Sequence, residues 1–302
     1  MSKVSVIIPA RFETAEATPG VSVLQRTVQD ILEKATGDIE VIVGFDGGPF
    51  QELPNDSRVR TIEKAEPQGI KTMINDLANL ARGKYLYKSD GHCMLGPGFD
   101  TILQNDMHWN WVVMPRFYVL DEKKWAWQDE RFYDYFYLCC PFLDPRGFRF
   151  KAGGHWPERT QERLDVLIDE TPQMHGSGWF VERDFFLNKL KGFQMWGDPM
   201  GHAQEPPYLG LKTWLGPWDG KLMVNKKTWY AHMHKGKQHD RGYRFSNSEN
   251  EKSYLLAANF FMNNEWEERA HDIEWFIDKF MPMPGWPENW REVWNASKYK
   301  KQ

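Results

Sequence analysis

A carboxylate and an imidazole stand two positions apart in the segment Ser89-Asp90-Gly91-His92. Side chains two residues apart project to the same side of an extended backbone, so Asp90 and His92 make half of a metal site. A mixed set of oxygen and nitrogen donors suits Mn²⁺ or a similar divalent ion better than Ca²⁺, which prefers oxygen alone. The alternative interpretation is an Asx turn followed by a histidine that only packs.

A second pair with the same spacing offers the third ligand. The segment Thr228-Trp-Tyr-Ala-His-Met-His234 places His232 and His234 on one side of a predicted strand. The chain has nine histidines in total, so two of them on one short strand favour a metal-binding role. The residues themselves leave open whether His232 or His234 completes the set.

Polar clusters follow three of the predicted strands directly. They are Pro9-Ala-Arg-Phe-Glu13, Phe45-Asp46-Gly47 and Ser89-Asp-Gly-His92. Ligands of an open parallel sheet bind beyond the carboxyl ends of its strands, so the three clusters together predict one site. Each cluster alone is also typical of an ordinary turn, since Asp and Gly are common turn residues.

Hydrophobic periodicity in the first half of the chain alternates between strand and helix. It predicts strands at 4–8, 40–45, 58–62, 84–88 and 111–114. It also predicts a helix at 23–32 that is capped by Gly37, and a helix at 70–81 that is ended by Gly83. Strands joined by helices of this length indicate right-handed crossovers. We therefore expect an α/β fold with a mainly parallel sheet and helices on both of its faces.

The second half is less regular. The stretch 121–171 is aromatic and charged, which predicts long loops with short pieces of structure that could form a substrate wall. Later elements are a strand at 176–181, a helix at 185–190 capped by Asp184, a helix at 209–215, strands at 221–224 and 228–234, and a helical tail at 251–280.

Composition excludes several classes of protein. With 38 Lys and Arg against 42 Asp and Glu, the net charge is −4, which excludes a carrier that binds nucleic acid by charge alone. Three cysteines cannot form a disulfide framework and match no zinc spacing. No apolar run approaches the roughly 18 residues of a membrane helix, and no secretion signal is recognisable, so we expect a cytoplasmic protein without a membrane span. The 15% aromatic content suits stacking on sugar rings or nucleobases, as well as core packing.

Several motifs in order resemble the family 2-like glycosyltransferases with the GT-A fold. The segment Val4-Ser-Val-Ile-Ile-Pro-Ala-Arg-Phe-Glu13 resembles their opening strand and loop, and the Asp-x-His motif is similar to that of the polypeptide N-acetylgalactosaminyltransferases. The remaining matches are Gln68-Gly-Ile-Lys-Thr-Met-Ile-Asn75, Ala81-Arg-Gly-Lys-Tyr85, Met174-His-Gly-Ser-Gly-Trp-Phe-Val-Glu-Arg-Asp-Phe186, Trp196-Gly197, Gln204-Glu205, Leu209, Trp214 and Ala231-His232. The resemblance covers residues 3–118 and 172–236.

The resemblance implies a Rossmann-like GT-A domain at 1–240 and a helical extension at 241–302. Within the domain, 1–118 would bind the nucleotide sugar, 119–171 would be an acceptor-side insertion, and 172–240 would carry acceptor and metal residues. The implied reaction moves a sugar from a nucleoside diphosphate sugar, UDP-linked, to a hydroxyl acceptor. The implied cofactor is Mn²⁺ or Mg²⁺, held by Asp90, His92 and His232, and acting as a Lewis acid on the leaving diphosphate.

The resemblance also implies roles for other side chains. Glu205 or Asp198 would orient the acceptor or act as base. Sugar or acceptor contacts would come from Trp179, Trp196, Trp214 and His234, although core packing explains a tryptophan equally well. The nucleotide sugar would contact Pro9, Arg11, Glu13, Asp46, Gly69, Lys71, Asn75 and Asp90.

Four acceptor classes remain open, namely a saccharide, a lipid-linked precursor, a protein and a hydroxymethylated DNA base. For DNA, aromatic residues and basic side chains of the insertion would form a stacking surface, with Arg131, Arg146, Arg149, Lys151 and Arg159 as the cations. Acidic residues between them favour a solvated face instead. A non-catalytic carbohydrate-binding protein is the other alternative, and it would have no need of a metal triad. The sequence does not predict the oligomeric state.

Overall fold

The computed structural model describes residues 2–150, 154–193, 205–234 and 247–301. The strands are β1 Val4–Ala10, β2 Glu16–Thr18, β3 Val21–Ser22, β4 Ile39–Asp46, β5 Val59–Lys64, β6 Tyr85–Ser89, β7 Cys93–Leu95, β8 Trp111–Asp121, β9 Ala126–Tyr133, β10 Phe136–Tyr137, β11 Gly154–His155, β12 Ile168–Glu170, β13 Gly178–Glu182 and β14 Lys221–His232. The helices are α1 Val23–Lys34, α2 Ile70–Leu80, α3 Phe99–Asn105, α4 Pro157–Glu162, α5 Glu205–Leu215, α6 Asn247–Met262, α7 Ile273–Phe280 and α8 Trp290–Asn295, with a π-helical turn at Phe185–Lys189.

One large sheet organises the described residues, in the order β12-β14-β8-β13-β6-β1-β4-β5. Strands β5, β4, β1 and β6 pair in parallel, and β13 runs antiparallel to both β6 and β8. Because β8 is in turn parallel to β14, six strands of the sheet run in one direction. The predicted α/β fold is confirmed, and the antiparallel strands β7, β9, β12 and β13 make the sheet mixed.

The first half of the sheet is held by apolar strands covered by amphipathic helices. In α2, Met73, Ile74 and Leu77 face the sheet and are buried, as their helical spacing predicts. Gly44 in β4 permits this close packing, because a Cβ there would lie 2.3 Å from the sulfur of Met73. Because β1 pairs in parallel with β4 and with β6, the carboxyl ends of these three strands lie side by side at one edge of the sheet.

Strand pairing brings the later part of the chain to the same edge. β14 pairs with β7 in a register that places His232 opposite Cys93, the residue after His92. β13 pairs with β6 so that Gly178 lies opposite Ser89. These two pairings set the segments around residues 90, 176 and 232 next to one another.

Several predicted boundaries differ from the structure. The strands expected at 221–224 and 228–234 form a single strand, β14, with a register shift between Asn225 and Trp229. The stretch expected as loops includes β9, which pairs with β8. The tail is broken into α6, α7 and α8, and α1 ends at Lys34 with Ala35 as its cap, so Gly37 is not the cap. The Asp184 side chain forms no capping hydrogen bond.

The C-terminal helices pack against aromatic residues of the middle region. Trp294 of α8 is buried, with its ring stacked 5.7 Å from Phe148 and 6.1 Å from Phe142. Burial of such large rings is a major source of stability. The division into domains stays a prediction. Among the described residues, none of the helices combines the length and apolar character needed to cross a bilayer.

Candidate active site

Asp90, His92 and His232 bring one potential ligand atom each to within 4.8 Å of the others. The Nε2 atom of His232 lies 3.2 Å from Oδ2 of Asp90 and 3.0 Å from Nε2 of His92. The Asp90 oxygen and the His92 nitrogen are 4.0 Å apart. The structure thus gathers the three predicted metal ligands from two stretches of chain about 140 residues apart.

Backbone hydrogen bonds fix these residues in place. Asp90 follows β6 directly, and its N–H donates to the Ser177 carbonyl at 2.9 Å. The N–H of Met233 donates to the His92 carbonyl at 3.0 Å, which ties the end of β14 to the loop after β6. The arrangement is therefore built on the rigid sheet, as a precise ligand set requires.

A carboxylate orients the His92 ring. Glu13 Oε2 lies 3.0 Å from Nδ1 of His92, and both side chains are buried. With Nδ1–H donating to Glu13, the lone pair of His92 is on Nε2, which faces Asp90 and His232. Metal-binding histidines characteristically have such a carboxylate partner. Glu13, predicted to contact the nucleotide, is instead placed behind the metal-ligand set.

The electrostatic state of the cluster fits a divalent cation. Burial holds the pKa of His232 well below its ordinary value, so the ring is neutral and keeps a lone pair. Burial alone would raise the pKa of Asp90, but Lys88 and His232 hold it well below its ordinary value. The Nδ1 atom of His232 is buried and has no hydrogen-bond partner within the described part of the chain. One carboxylate oxygen and two imidazole nitrogens form a donor set that suits Mn²⁺.

Lys88 is a site residue that the sequence interpretation missed. Its side chain is 1% exposed, and its Nζ donates to Oδ1 of Asp90 at 2.6 Å and to the Gly176 carbonyl at 2.7 Å. The same ammonium lies 3.3 Å from Oε1 of Glu205. A buried lysine that contacts both Asp90 and Glu205 couples the metal-ligand set to the Glu205 region. A lysine in an otherwise apolar strand, two residues before Asp90, was the available signal.

Glu205, the predicted catalytic carboxylate, is described at the start of α5 and is 3% exposed. Its Oε1 accepts a hydrogen bond from Nε1 of Trp179 at 3.0 Å. Burial raises the pKa of Glu205, and the charge of Lys88 offsets part of that rise. Asp198, the competing candidate, lies outside the described residues.

The two described tryptophans are not sugar platforms. Trp179 is fully buried beside Phe186, so it acts through its hydrogen bond to Glu205. Trp214 is 2% exposed and packs against Phe280 of α7, with ring centroids 5.2 Å apart. Both rings are buried and belong to the core. Trp196 lies outside the described residues.

Asp46 and Gly69, both predicted to contact the nucleotide, are joined by a hydrogen bond between the end of β4 and the start of α2. Both Asp46 carboxylate oxygens accept backbone N–H groups, from Gln68 at 2.6 Å and Gly69 at 2.8 Å. Gly69 has φ 96°, a conformation that favours glycine, and it begins α2. Asp46 therefore holds the turn that leads into α2 and leaves only its remaining lone pairs for a ligand. Beyond β4 and β5 lies a cavity of about 340 Å³ lined by Phe45, Gln51, Leu53, Pro54, Asn55, Asp56, Val59, Thr61 and Glu63.

The other predicted nucleotide residues are placed as follows. Pro9 lies in β1 opposite Gly44, and Arg11 follows that strand and is half-buried. Lys71 is buried in the first turn of α2. Asn75 uses its whole amide on the backbone of Phe193, with both hydrogen bonds at 2.8 Å. Asn75 is thereby a structural residue that anchors the chain before the undescribed segment 194–204.

A further histidine, His175, joins the site and was not predicted. His175, His232 and His234 also have ligand atoms within 4.8 Å of one another. Burial, together with the nearby His234, lowers the pKa of His175 to about 4. His234, predicted to contact sugar or acceptor, is exposed at the rim of this cluster. The signal for His175 was its position just before the turn Gly176-Ser-Gly178, which the pairing of β13 with β6 brings beside Asp90.

Sequence comparison identifies the class of protein. The family model for glycosyl transferase family 2 matches residues 5–186, which is more than half of the chain. The chain therefore belongs to glycosyl transferase family 2, and the resemblance inferred from the motifs is confirmed. A sequence search of curated proteins finds no significant match.

Two solved structures superpose on this chain. The crystal structure of GalNAc-T7 with UDP, GalNAc and Mn²⁺ superposes with a TM-score of 0.60 at 17% identity, covering 97% of this chain and 55% of that one. The crystal structure of S. aureus TarS 1-349 in complex with UDP-GlcNAc has a TM-score of 0.52 at 12% identity, covering 88% of this chain and 68% of that one. At these identities the likeness shows the fold, which is GT-A. This chain spans about half the length of the GalNAc-T7 chain.

Proposed function

We propose that this protein transfers a sugar from a nucleoside diphosphate sugar to a hydroxyl acceptor, with the help of a divalent cation. The observation that carries the proposal is the cluster of Asp90, His92 and His232 at the carboxyl ends of parallel strands. Membership of glycosyl transferase family 2 supports the reaction class. A UDP-linked donor is proposed because the GalNAc-T7 structure contains UDP and the TarS structure contains UDP-GlcNAc.

The cation would be held by one Asp90 carboxylate oxygen and by Nε2 of His92 and His232. When bound, a divalent ion offsets the negative charge that develops on a departing diphosphate. The chain's own residues prepare this set in two ways. Glu13 fixes the tautomer of His92, and Lys88 keeps Asp90 ionised inside a buried site.

Glu205 is proposed to orient the acceptor hydroxyl or the transferred sugar. Its carboxylate is held by Trp179 and Lys88, so its position is fixed before any substrate binds. A fixed carboxylate can accept a hydrogen bond from a hydroxyl without the cost of ordering a flexible side chain. Lys88 also links this carboxylate to Asp90, which places the acceptor-side group next to the cation site.

The acceptor is proposed to be a hydroxyl of a saccharide or a protein. The DNA alternative depended on cations of the middle region, and those that the structure describes are paired with carboxylates. Arg131 pairs with Asp129 at 2.5 Å, Arg146 with Asp144 at 2.7 Å, and Arg149 with Glu251 at 2.6 Å. Arg159 lies 3.8 Å from Asp169. These ion pairs neutralise the charge that a phosphate backbone would need. Lys151 lies outside the described residues, and a cytoplasmic location stays a prediction from the sequence.

The test is donor turnover by the purified protein. UDP-sugars are incubated with and without Mn²⁺, and release of UDP is measured for the wild type, Asp90→Asn and His232→Gln. We expect one donor to be hydrolysed slowly with Mn²⁺, and both variants to lose at least about 10²-fold in rate. His271→Gln is the matched control, since His271 stacks on Trp275 beside α7.

The contrary result is also defined. UDP release that continues unchanged without a cation, or in Asp90→Asn, would refute the proposed mechanism. Sugar binding that needs no cation and leads to no UDP release with any donor would identify a non-catalytic carbohydrate-binding protein.

A further inference from the structure

A second group of three imidazoles, those of His175, His232 and His234, lies beside the set of Asp90, His92 and His232. The rings of His175 and His234 have centroids 5.4 Å and 5.2 Å from that of His232, and 5.9 Å from each other. One nitrogen of each ring lies within 4.8 Å of the other two. Three nitrogen atoms at this separation can bind one ion together, with no carboxylate in the set.

The ring of His175 is fixed by its neighbours. Its Nδ1 lies 2.6 Å from the Ser177 hydroxyl, which donates onward to the Tyr230 hydroxyl at 3.1 Å. The backbone N–H of Ser177 also donates to this Nδ1, at 3.4 Å. Phe117 stacks on the ring at 4.7 Å and 10°. These contacts fix the orientation of the ring, as neighbouring groups do for a metal-binding histidine.

His232 belongs to both groups of potential ligands. Its Nε2 faces Asp90 and His92, whereas its Nδ1 is buried without a hydrogen-bond partner in the described part of the chain. A buried polar atom with no partner is uncommon and needs an explanation. A neutral imidazole has one lone pair, so His232 can serve only one of the two groups at a time.

We propose that His175, His232 and His234 form a second cation position, occupied in competition with the position at Asp90, His92 and His232. An all-nitrogen set favours Zn²⁺, Ni²⁺ or Cu²⁺ over Mn²⁺, because affinity for imidazole increases along the first-row series. His234 is exposed, which gives an ion from solvent direct access. An ion bound there withdraws the shared histidine, so Zn²⁺ acts as an inhibitor that competes with Mn²⁺. The position goes beyond the proposed function, since ion binding requires no sugar transfer.

The experiment is isothermal titration of the metal-free full-length chain with ZnCl₂ and, separately, with MnCl₂. The variants are His175→Gln, His234→Gln and Asp90→Asn, with His271→Gln as the matched control. We expect His175→Gln and His234→Gln to weaken Zn²⁺ binding at least about tenfold and to leave Mn²⁺ binding within about twofold. We expect Asp90→Asn, in contrast, to weaken Mn²⁺ binding at least about tenfold and to leave Zn²⁺ binding within about twofold. His234 is exposed, so its variant tests the position even where His175→Gln fails to fold.

Two results would overturn the second position. The first is Zn²⁺ affinity that falls in Asp90→Asn and is unchanged in His234→Gln, because Zn²⁺ would then occupy the position of Asp90. The second is the absence of Zn²⁺ binding to the wild type. These two results differ from a failure of the proposed function. In that case Mn²⁺ does not bind or UDP is not released, whereas Zn²⁺ still binds through His175 and His234.

Discussion

Replacement of Lys88 by methionine removes a buried ammonium that lies between the buried carboxylate of Glu205 and the half-buried carboxylate of Asp90. Its Nζ is 2.6 Å from Asp90 and 3.3 Å from Glu205, and its side chain is 1% exposed. Methionine retains the apolar stem but leaves the charge of Glu205 buried without its cation, whereas Asp90 is 22% exposed. Loss of one partner of a buried ion pair costs about 3–5 kcal/mol, so we expect a decrease of that size in the free energy of unfolding at pH 7 without metal.

Urea unfolding followed by tryptophan fluorescence measures this change. The matched control is Lys227→Met, because Lys227 is 40% exposed and pairs with Asp106 at 2.8 Å. An exposed ion pair contributes about 0–1 kcal/mol, so the control tests whether burial is the cause. A loss from Lys88→Met no larger than that of the control would refute the reasoning.

The effect of Lys88→Met also depends on pH. Loss of the lysine removes one charge that opposes the effect of burial, so the pKa of each carboxyl group is higher in the variant than in the wild type. A carboxyl whose folded-state pKa lies above the unfolded value stabilises the fold at low pH, and this contribution is lost as pH rises. The difference between wild type and variant is therefore smaller at pH 5 than at pH 7.

Three further changes test other contacts of the site and core. Glu13→Gln removes the charge behind His92, and we expect Mn²⁺ affinity measured by titration to fall about 10–100-fold; an unchanged affinity would exclude this role. Trp179→Phe keeps the ring but removes the donor to Glu205, and the free energy of unfolding should decrease by about 1.5–3 kcal/mol, whereas no decrease contradicts the hydrogen bond. Burial lowers the pKa of Lys212 to about 8, so the unfolded chain binds more protons between that pH and the ordinary value of 10.5, and stability rises with pH across this range. Lys212→Met should remove this rise, which amounts to about 3 kcal/mol, in urea unfolding at pH 7.5 and 10; an unchanged pH profile contradicts the assignment.

The sequence predicts the elements that carry the first part of the site. Buried strands followed by Asp46 and Asp90 could be recognised because apolar runs end there in polar turn residues. The rule that such ends share one edge of a parallel sheet then brought them together. His92 followed from its spacing to Asp90, and the structure places the two in one cluster.

Register and burial explain what the sequence left open. Nothing in local periodicity specifies that His232 lies opposite Cys93, because strand pairing across 140 residues depends on the whole sheet. The spacing of residues therefore left His232 and His234 open as the third ligand, and only the family resemblance favoured His232. Lys88 was missed because alternation in a strand does not distinguish a solvent-facing lysine from a buried one that contacts two carboxylates.

Side-chain roles were the least predictable feature. Glu13, Asn75 and Trp179 have residue types that suit ligands, yet their hydrogen bonds go to His92, Phe193 and Glu205. Each is fixed by a partner distant in sequence, and the spacing of residues gives no information about such partners. Trp214 was ambiguous for another reason, since a large ring serves a core and a sugar site equally well.

The central claim is that one cation is held by Asp90, His92 and His232. Crystals grown with Mn²⁺ and UDP, measured at the manganese absorption edge, test this claim most directly through anomalous scattering. We expect one strong peak within coordination distance of the Asp90 carboxylate and of Nε2 of both histidines. A peak at other residues only, or none in crystals that contain bound UDP, would contradict the account.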